Sequence, residues 1–200
     1  MTRPKRIAPG RCCGIVVDVQ GFFLEQLERR LRSRMRINPR NLVRLLGYFH
    51  IPIVVTLERS VALKGTLPPE IAALLGARDK TFEKDFFDLT KERPIRAHLT
   101  RLEKPQAIVA GCETDVCVLH SVLGLLSLGY EVFVVEDLMF SSAREVAAAV
   151  ARMRDAGAVL LTYKTLYYEL IEAVDGGRHG ARLLRTFGPL PDDLPDVARW

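Results

Sequence analysis

A three-layer α/β/α domain built on a mainly parallel, doubly wound sheet of about six strands is the fold class that this sequence predicts. Two observations carry the prediction. Short apolar runs rich in β-branched residues alternate with longer segments of helical periodicity, the order of a chain made of βαβ units. The runs are also apolar throughout rather than alternating, as strands are when helices cover both faces of the sheet.

Taken in order, the predicted strands are 13–18 (CGIVVD), 51–56 (IPIVVT), 80–86 (KTFEKDF, the weakest), 107–111 (AIVAG), 131–136 (EVFVVE) and 158–162 (AVLLT). Helical patterns fall at 23–35, 41–49, 69–75, 91–102, 116–128, 143–156 and 166–173. Asn38–Pro39 fits the start of a helix, with asparagine as N-cap and proline at the first helical position. Gly129 and Gly157 fit helix C-caps just ahead of a strand. Residues 1–174 read as one domain. The remainder, 175–200, changes composition, with several prolines and glycines. It wraps the domain, reaches a partner subunit or moves freely, and the sequence leaves these three alternatives open.

Composition narrows the function classes. A chain of 200 residues with 48% hydrophobic and 26% charged residues is that of an ordinary globular protein. No apolar run approaches the roughly 18–20 residues of a membrane span, and the start, MTRPKRIAPGRCC, lacks the pattern of a secretory signal. A cytoplasmic protein with no membrane partner is expected. The net charge of +5 raises the question of nucleic acid, but the arginines cluster in ERRLRSRMRINPRNLVR, where Leu27, Leu31 and Met35 make one apolar stripe and the arginines spread over the other side. That is the solvated face of an amphipathic helix, and no nucleic-acid partner is expected.

The four cysteines, Cys12, Cys13, Cys112 and Cys117, form no CxxC pair, which argues against a zinc site. Cys12 and Cys13 would point to opposite faces of a strand. His50, His98, His120 and His179 are scattered without ligand spacing, so no metal is expected.

Three polar residues stand where an open parallel sheet binds its ligands, beyond the carboxyl ends of the strands. Asp18 closes an apolar run, which is costly unless it has a partner or a task. Lys84 lies in TFEKDFF, with Lys80 four residues earlier as the alternative. Cys117 follows AIVAG at the start of a helix. With Thr114 as N-cap, Cys117 takes the third helical position, where unpaired N–H groups and the helix dipole favour a thiolate. Phe22, Phe23 and Leu57 are candidates for an apolar pocket wall beside Asp18.

GIVVDVQGFF, IPIVVTLERSVALKGTLPPE, TFEKDFFD, AIVAGCETDVCVLHSVLGLLSLGYEVFVVEDLMFSS and AGAVLLT together resemble the isochorismatase-like cysteine hydrolases, which include nicotinamidases and N-carbamoylsarcosine amidohydrolases. The resemblance runs in order from about Cys12 to Thr162. It implies an Asp18–Lys84–Cys117 triad, and Lys84 rather than Lys80 because it precedes DFFD. It also implies a cis peptide between Cys112 and Glu113 that turns the Glu113 N–H toward the site beside that of Cys117, as an oxyanion hole. The implied reaction is hydrolysis of a small amide or related C–N bond through a thioester, with Asp18 taking the Cys117 proton and returning it to the leaving nitrogen. No organic cofactor is implied. VTLERSVALKGTLPPE has no histidine where the nicotinamidase branch carries metal ligands, which argues against that activity. Two alternatives remain: a vinyl-ether hydrolase of isochorismatase type that uses Asp18 without the thiol, and a catalytically silent binding protein of the same fold. A homo-oligomer is expected in each case.

Overall fold

The computed structural model describes residues 5–172 together with Arg182, Arg185 and Thr186. The expected extension, 175–200, otherwise lies outside the described residues. Six strands form one sheet: β1 (Cys12–Val17), β2 (Ile53–Glu58), β3 (Lys80–Lys84), β4 (Gln106–Cys112), β5 (Glu131–Phe140) and β6 (Val159–Leu161). Every pairing is parallel, in the order β3-β2-β1-β4-β5-β6. The chain therefore winds outward from β1 on one side and from β4 on the other. The switch point falls between β1 and β4, where Val17 stands beside Gly111.

Strand alternation divides the interior into two cores. Val16, Val55, Leu57, Ile108 and Ala110 face α1 (Gly21–Glu25), α2 (Arg29–Tyr48) and α8 (Tyr163–Ile171). On the other face Cys13, Ile15, Val17, Val54 and Val109 pack against α5 (Arg93–Leu102), α6 (Leu119–Ser127) and α7 (Ala147–Asp155). Cys12 and Cys13 lie in different cores, as the period of a strand requires. Two single-turn helices, α3 (Val61–Lys64) and α4 (Pro69–Ala72), fill the crossover between β2 and β3.

The expected helix start at Asn38–Pro39 is wrong. Pro39 lies inside α2, which runs unbroken for 20 residues. The missing N–H costs a helix interior about 3 kcal/mol, but Met35, Leu42, Val43, Leu45 and Leu46 are all buried around it. Each such side chain is worth about 1.5–3 kcal/mol on burial, so the apolar face outweighs the proline. The break comes instead at Glu28, whose ψ of 146° is not helical. Leu27 thus lies ahead of the helix, and Leu31 is on its margin rather than in the core. Gly129 and Gly157 do end their helices, with φ of +87° and +104°. The helix predicted at 143–156 begins only at Ala147, and that predicted at 166–173 begins earlier, at Tyr163, where the Thr162 side chain accepts from the Thr165 N–H.

Candidate active site

At the carboxyl ends of β1, β2 and β3, and in the turn after β4, four side chains converge. Lys84 Nζ lies 2.7 Å from Asp18 Oδ2 and 3.3 Å from Cys117 Sγ. The Thr56 hydroxyl donates to Asp18 Oδ1 at 2.7 Å, while Oδ2 faces the Lys84 charge. Cys117 in turn donates its thiol hydrogen to Glu58 Oε2 at 3.0 Å, and Glu58 Oε2 is 3.8 Å from Lys84 Nζ. Lys80 is exposed at the opposite end of β3, beside Val54, and takes no part.

The backbone explains why the groups meet. Asp18 leaves β1 with φ of +48°, a conformation that aspartate tolerates better than most residues. Its carbonyl accepts from the Gln20 N–H at 2.8 Å and from the Cys112 thiol at 2.8 Å. Cys112 is therefore tied into the turn, sealed from solvent, and burial pushes its thiol well above the ordinary value. Gly111, at φ +126°, lets β4 pass against β1: a Cβ there would stand 2.0 Å from the Val17 carbonyl oxygen. The peptide between Cys112 and Glu113 is cis, as is that between Arg59 and Ser60.

Thr114 is not the N-cap that the sequence suggests. Glu113 holds that position, and Thr114–Val118 form one π-helical turn that leads into α6. The wider turn arises because the Val118 N–H reaches back to the Glu113 carbonyl at 3.0 Å. Cys117 is thus the fourth residue of the turn rather than the third. Side chains anchor the turn from across the sheet: Ser141 donates to Asp115, and the Ser142 N–H donates to Glu113 Oε1.

Burial dominates the electrostatics. Asp18 and Lys84 are both 0% exposed. Burial pushes the Asp18 carboxyl above its ordinary range against the pull of the Lys84 charge. It also works to strip the Lys84 proton, but Asp18 and Cys117 reverse this and hold the ammonium above its usual value. For Glu58, burial is outweighed by hydrogen bonds from Lys64 and Cys117 and by the Lys84 charge, and the carboxyl sits below its usual value. Burial and then Asp18 push the Cys117 thiol up, with Lys84 pulling the other way. Burial and the two adjacent carboxylates thus work against the thiolate expected from the helix terminus, whose dipole is worth at most about 2 kcal/mol. Asp18, Glu58 and Cys117 place ligand atoms within 4.8 Å of one another. That is close enough to share a cation, and the Lys84 ammonium is such a cation, within 3.8 Å of all three.

Phe23 and Leu57, expected in a pocket wall, are both buried on the face of the sheet that packs against α1, α2 and α8, with the Phe23 ring centre 5.8 Å from Lys64 Nζ. On β2, Thr56 and Glu58 turn toward the site, and Leu57 between them necessarily turns away. Phe22 is exposed. His50 and His120 are exposed, His98 is half-buried against Phe82, and His179 lies outside the described residues.

Glu58 and Lys64, within VTLERSVALKGTLPPE, and Gln20 have no role assigned from the sequence, and the structure places all three at the site. Buried Gln20 locks the Glu58 backbone, accepting from its N–H at 2.7 Å and donating to its carbonyl at 3.2 Å. Lys64 pairs with Glu58 Oε1. The signal was present: a carboxylate closes the apolar run IPIVVTLE just as Asp18 closes CGIVVD.

A parallel sheet with a thiol, a lysine and two carboxylates gathered at its switch point defines a class of α/β proteins that bind and transform small molecules at the carboxyl edge. A sequence profile of the isochorismatase domain matches residues 12–165, and the chain belongs to the isochorismatase family of hydrolases. The secreted isochorismatase effector Isc1 of Phytophthora sojae is 32% identical over 169 residues, covering 82% of this chain and 79% of that protein. YcaC of Pseudomonas aeruginosa, solved with hexane-2,5-diol and covalent acrylamide, is 25% identical with a TM-score of 0.85, covering 99% of this chain and 98% of that one. YcaC of Escherichia coli, described as an octameric hydrolase of unknown specificity, is 25% identical with a TM-score of 0.83, covering 98% and 97%. The MAR1 ribonuclease of Caenorhabditis elegans is 26% identical with a TM-score of 0.80, covering 92% and 95%. Among the described residues no helix is long and apolar enough to cross a membrane.

Proposed function

We propose that the protein hydrolyses a small-molecule amide or related C–N bond through a thioester on Cys117. The observation that carries this reading is the position of Lys84 Nζ, 2.7 Å from Asp18 and 3.3 Å from Cys117 in a site sealed from solvent. An ammonium there, 0% exposed, acts on its neighbours with little screening by bulk water. It stabilises the thiolate as it forms, and Asp18, its proton affinity raised by burial, has the character of a base. Glu113 and Cys117 would offer their N–H groups to the oxyanion, a contribution of roughly 3–4 kcal/mol per donor in comparable sites. The acrylamide bound covalently in the Pseudomonas relative is an electrophile of the kind that captures thiols, which supports a nucleophilic cysteine in this family. The octamer of the Escherichia relative supports a homo-oligomer.

The test is ammonia release from a panel of primary amides and ureido compounds, with the acyl-enzyme trapped by acid quench and weighed. Turnover that disappears in Cys117→Ala, with an adduct on Cys117 in the wild type, is the expected result. Turnover of a vinyl ether that survives Cys117→Ala would replace this reading with the thiol-independent one. Cleavage of a generic RNA without any amide turnover would overturn it, and binding without any turnover would leave a silent member of the fold.

A further inference from the structure

Around Cys117 the cations are already matched and the carboxylates are not. Lys84 is paired with Asp18, and Lys64 with Glu58 Oε1. Arg59, the residue after Glu58, is committed to Glu83 at 3.0 Å and Asp85 at 2.5 Å. In the turn that carries Cys117, Glu113 holds the Ser142 N–H and Asp115 the Ser141 hydroxyl, and among the described residues neither meets a cation. Carboxylates therefore outnumber ammonium groups here, in a chain whose net charge is +5. A carboxylate brought in by a substrate would find none of these cations unmatched.

Two oxygens beside the thiol have room for a donor. Asp18 Oδ2 is buried against the Lys84 charge and has no hydrogen-bond partner among the described residues. Glu58 Oε2 accepts from the Cys117 thiol at 3.0 Å, with Lys84 Nζ at 3.8 Å. Against burial, the Lys64 and Cys117 hydrogen bonds and the Lys84 charge hold Glu58 ionised. Its side chain is 13% exposed, whereas those of Asp18 and Lys84 are sealed. Gln20 fixes its backbone, accepting from the Glu58 N–H at 2.7 Å and donating to its carbonyl at 3.2 Å. Once Asp18 takes the thiol hydrogen, Oε2 loses its donor, and a half-buried acceptor left without one is costly. Asp18, Glu58 and Cys117 place ligand atoms within 4.8 Å of one another, so a carbonyl carbon bonded to the sulfur would have both carboxylates close by.

We propose that Glu58 is the specificity-determining residue of this site. Its substrate is an amide whose acyl part presents an N–H donor near the carbonyl carbon, as an α-ammonium or a ureido N–H, and no carboxylate. This rests on the thioester reading above, with Asp18 as the base, and narrows its substrate. Asp18 serves the leaving nitrogen and the backbone N–H groups serve the oxyanion. The third substituent of the carbonyl carbon is left to Glu58. A site built to bond an N–H rejects the analogue that lacks it, because its own acceptor is then unpaired. The same anion repels a carboxylate in that place.

The first arm of the test needs no substrate. Methanethiosulfonates ending in trimethylammonium, methyl or sulfonate are reacted with the wild type and Glu58→Gln at neutral pH. The rate at Cys117, located by peptide mass mapping, is divided by that of the same reagent on the urea-unfolded chain. The ammonium reagent should be favoured over the sulfonate by about tenfold or more, the scale of one unit charge a few ångströms away. Glu58→Gln should remove most of that preference. A ratio near one, a preference for the sulfonate or a ratio unchanged in Glu58→Gln overturns the proposal. The second arm, on the wild type alone, decides the matter should Glu58→Gln not fold. It compares kcat/KM for four amides of matched size: glycinamide, N-methylurea, propionamide and malonamate. Propionamide and malonamate should fall about a hundredfold or more below the better of the first two, and which of those two leads separates an ammonium from a ureido N–H. A lead for propionamide or malonamate overturns the proposal. If Cys117 resists even the uncharged reagent, the thioester reading itself fails, and this proposal with it.

Discussion

Lys84 and Asp18 form an ion pair of 2.7 Å in which neither side chain has any contact with solvent. The pair joins the outermost strand on its side of the sheet to the switch point, two strands away.

Removing one partner leaves the other charged and buried. Lys84→Met is expected to destabilise the protein by about 3–5 kcal/mol, whereas Asp18→Asn/Lys84→Met together should cost less than the sum of the single changes. Urea unfolding of the three variants measures both. The pair also sets an alkaline limit. The folded-state value of Lys84 is raised above the ordinary 10.5, so its contribution is fully present below about pH 10.5 and is lost as pH rises through the folded value. Asp18→Asn should bring the onset of alkaline unfolding to lower pH.

Of the four cysteines, one should react in the folded protein. Cys12, Cys13 and Cys112 are 0% exposed, and burial pushes up the thiols of all four cysteines, so contacts and not burial set them apart. Cys117 is also sealed by burial, but it alone touches both a solvent-side carboxylate and an ammonium. Intact-mass analysis after iodoacetamide treatment at neutral pH should show one adduct in the wild type and none in Cys117→Ala. Under denaturing conditions the counts should be four and three.

Gly111→Ala should be among the most damaging changes of a single methyl group. The position requires φ of +126°, and the new carbon would lie 2.0 Å from the Val17 carbonyl oxygen. Outlier backbone costs about 1–3 kcal/mol and overpacking about as much again, so a loss of about 2–6 kcal/mol is expected by thermal unfolding. Because β4 must move away from β1, Cys117 alkylation should slow as well.

The carboxyl edge of the sheet carries exposed Phe22 after β1, Leu63 after β2, and Phe86 and Phe87 after β3. This grouping favours coverage by a second subunit. Light scattering should give a mass that is a multiple of 22.5 kDa. Serine at Phe86 and Phe87 together should lower that mass without loss of helical signal, and a monomeric wild type would contradict the expectation.

Much of this was legible in the residues. The strand cores read as continuous apolar runs because a sheet covered on both faces needs no polar alternation, and Asp18 and Cys117 stood out against that background. Pro39 misled because a local rule was applied where the buried face of a long helix decides the outcome. Thr114 misled because the backbone carbonyl of Glu113, not a side chain, organises the turn before α6. Glu58 lies within VTLERSVALKGTLPPE, but its place in the site depends on contacts with Cys117 and Lys84 that no local pattern shows.

The order of strands and helices, the two-faced sheet and the residue types at the strand ends follow from the sequence alone, since periodicity and apolar runs are local properties. That Lys84 pairs with Asp18, that Glu58 stands within hydrogen-bond distance of Cys117, and that burial pushes the thiol up were decided only by the tertiary structure. Those facts depend on distances between strands β1, β2 and β3 and the turn after β4, and on the exclusion of water from the space between them. Neither quantity is a property of any segment of the chain by itself.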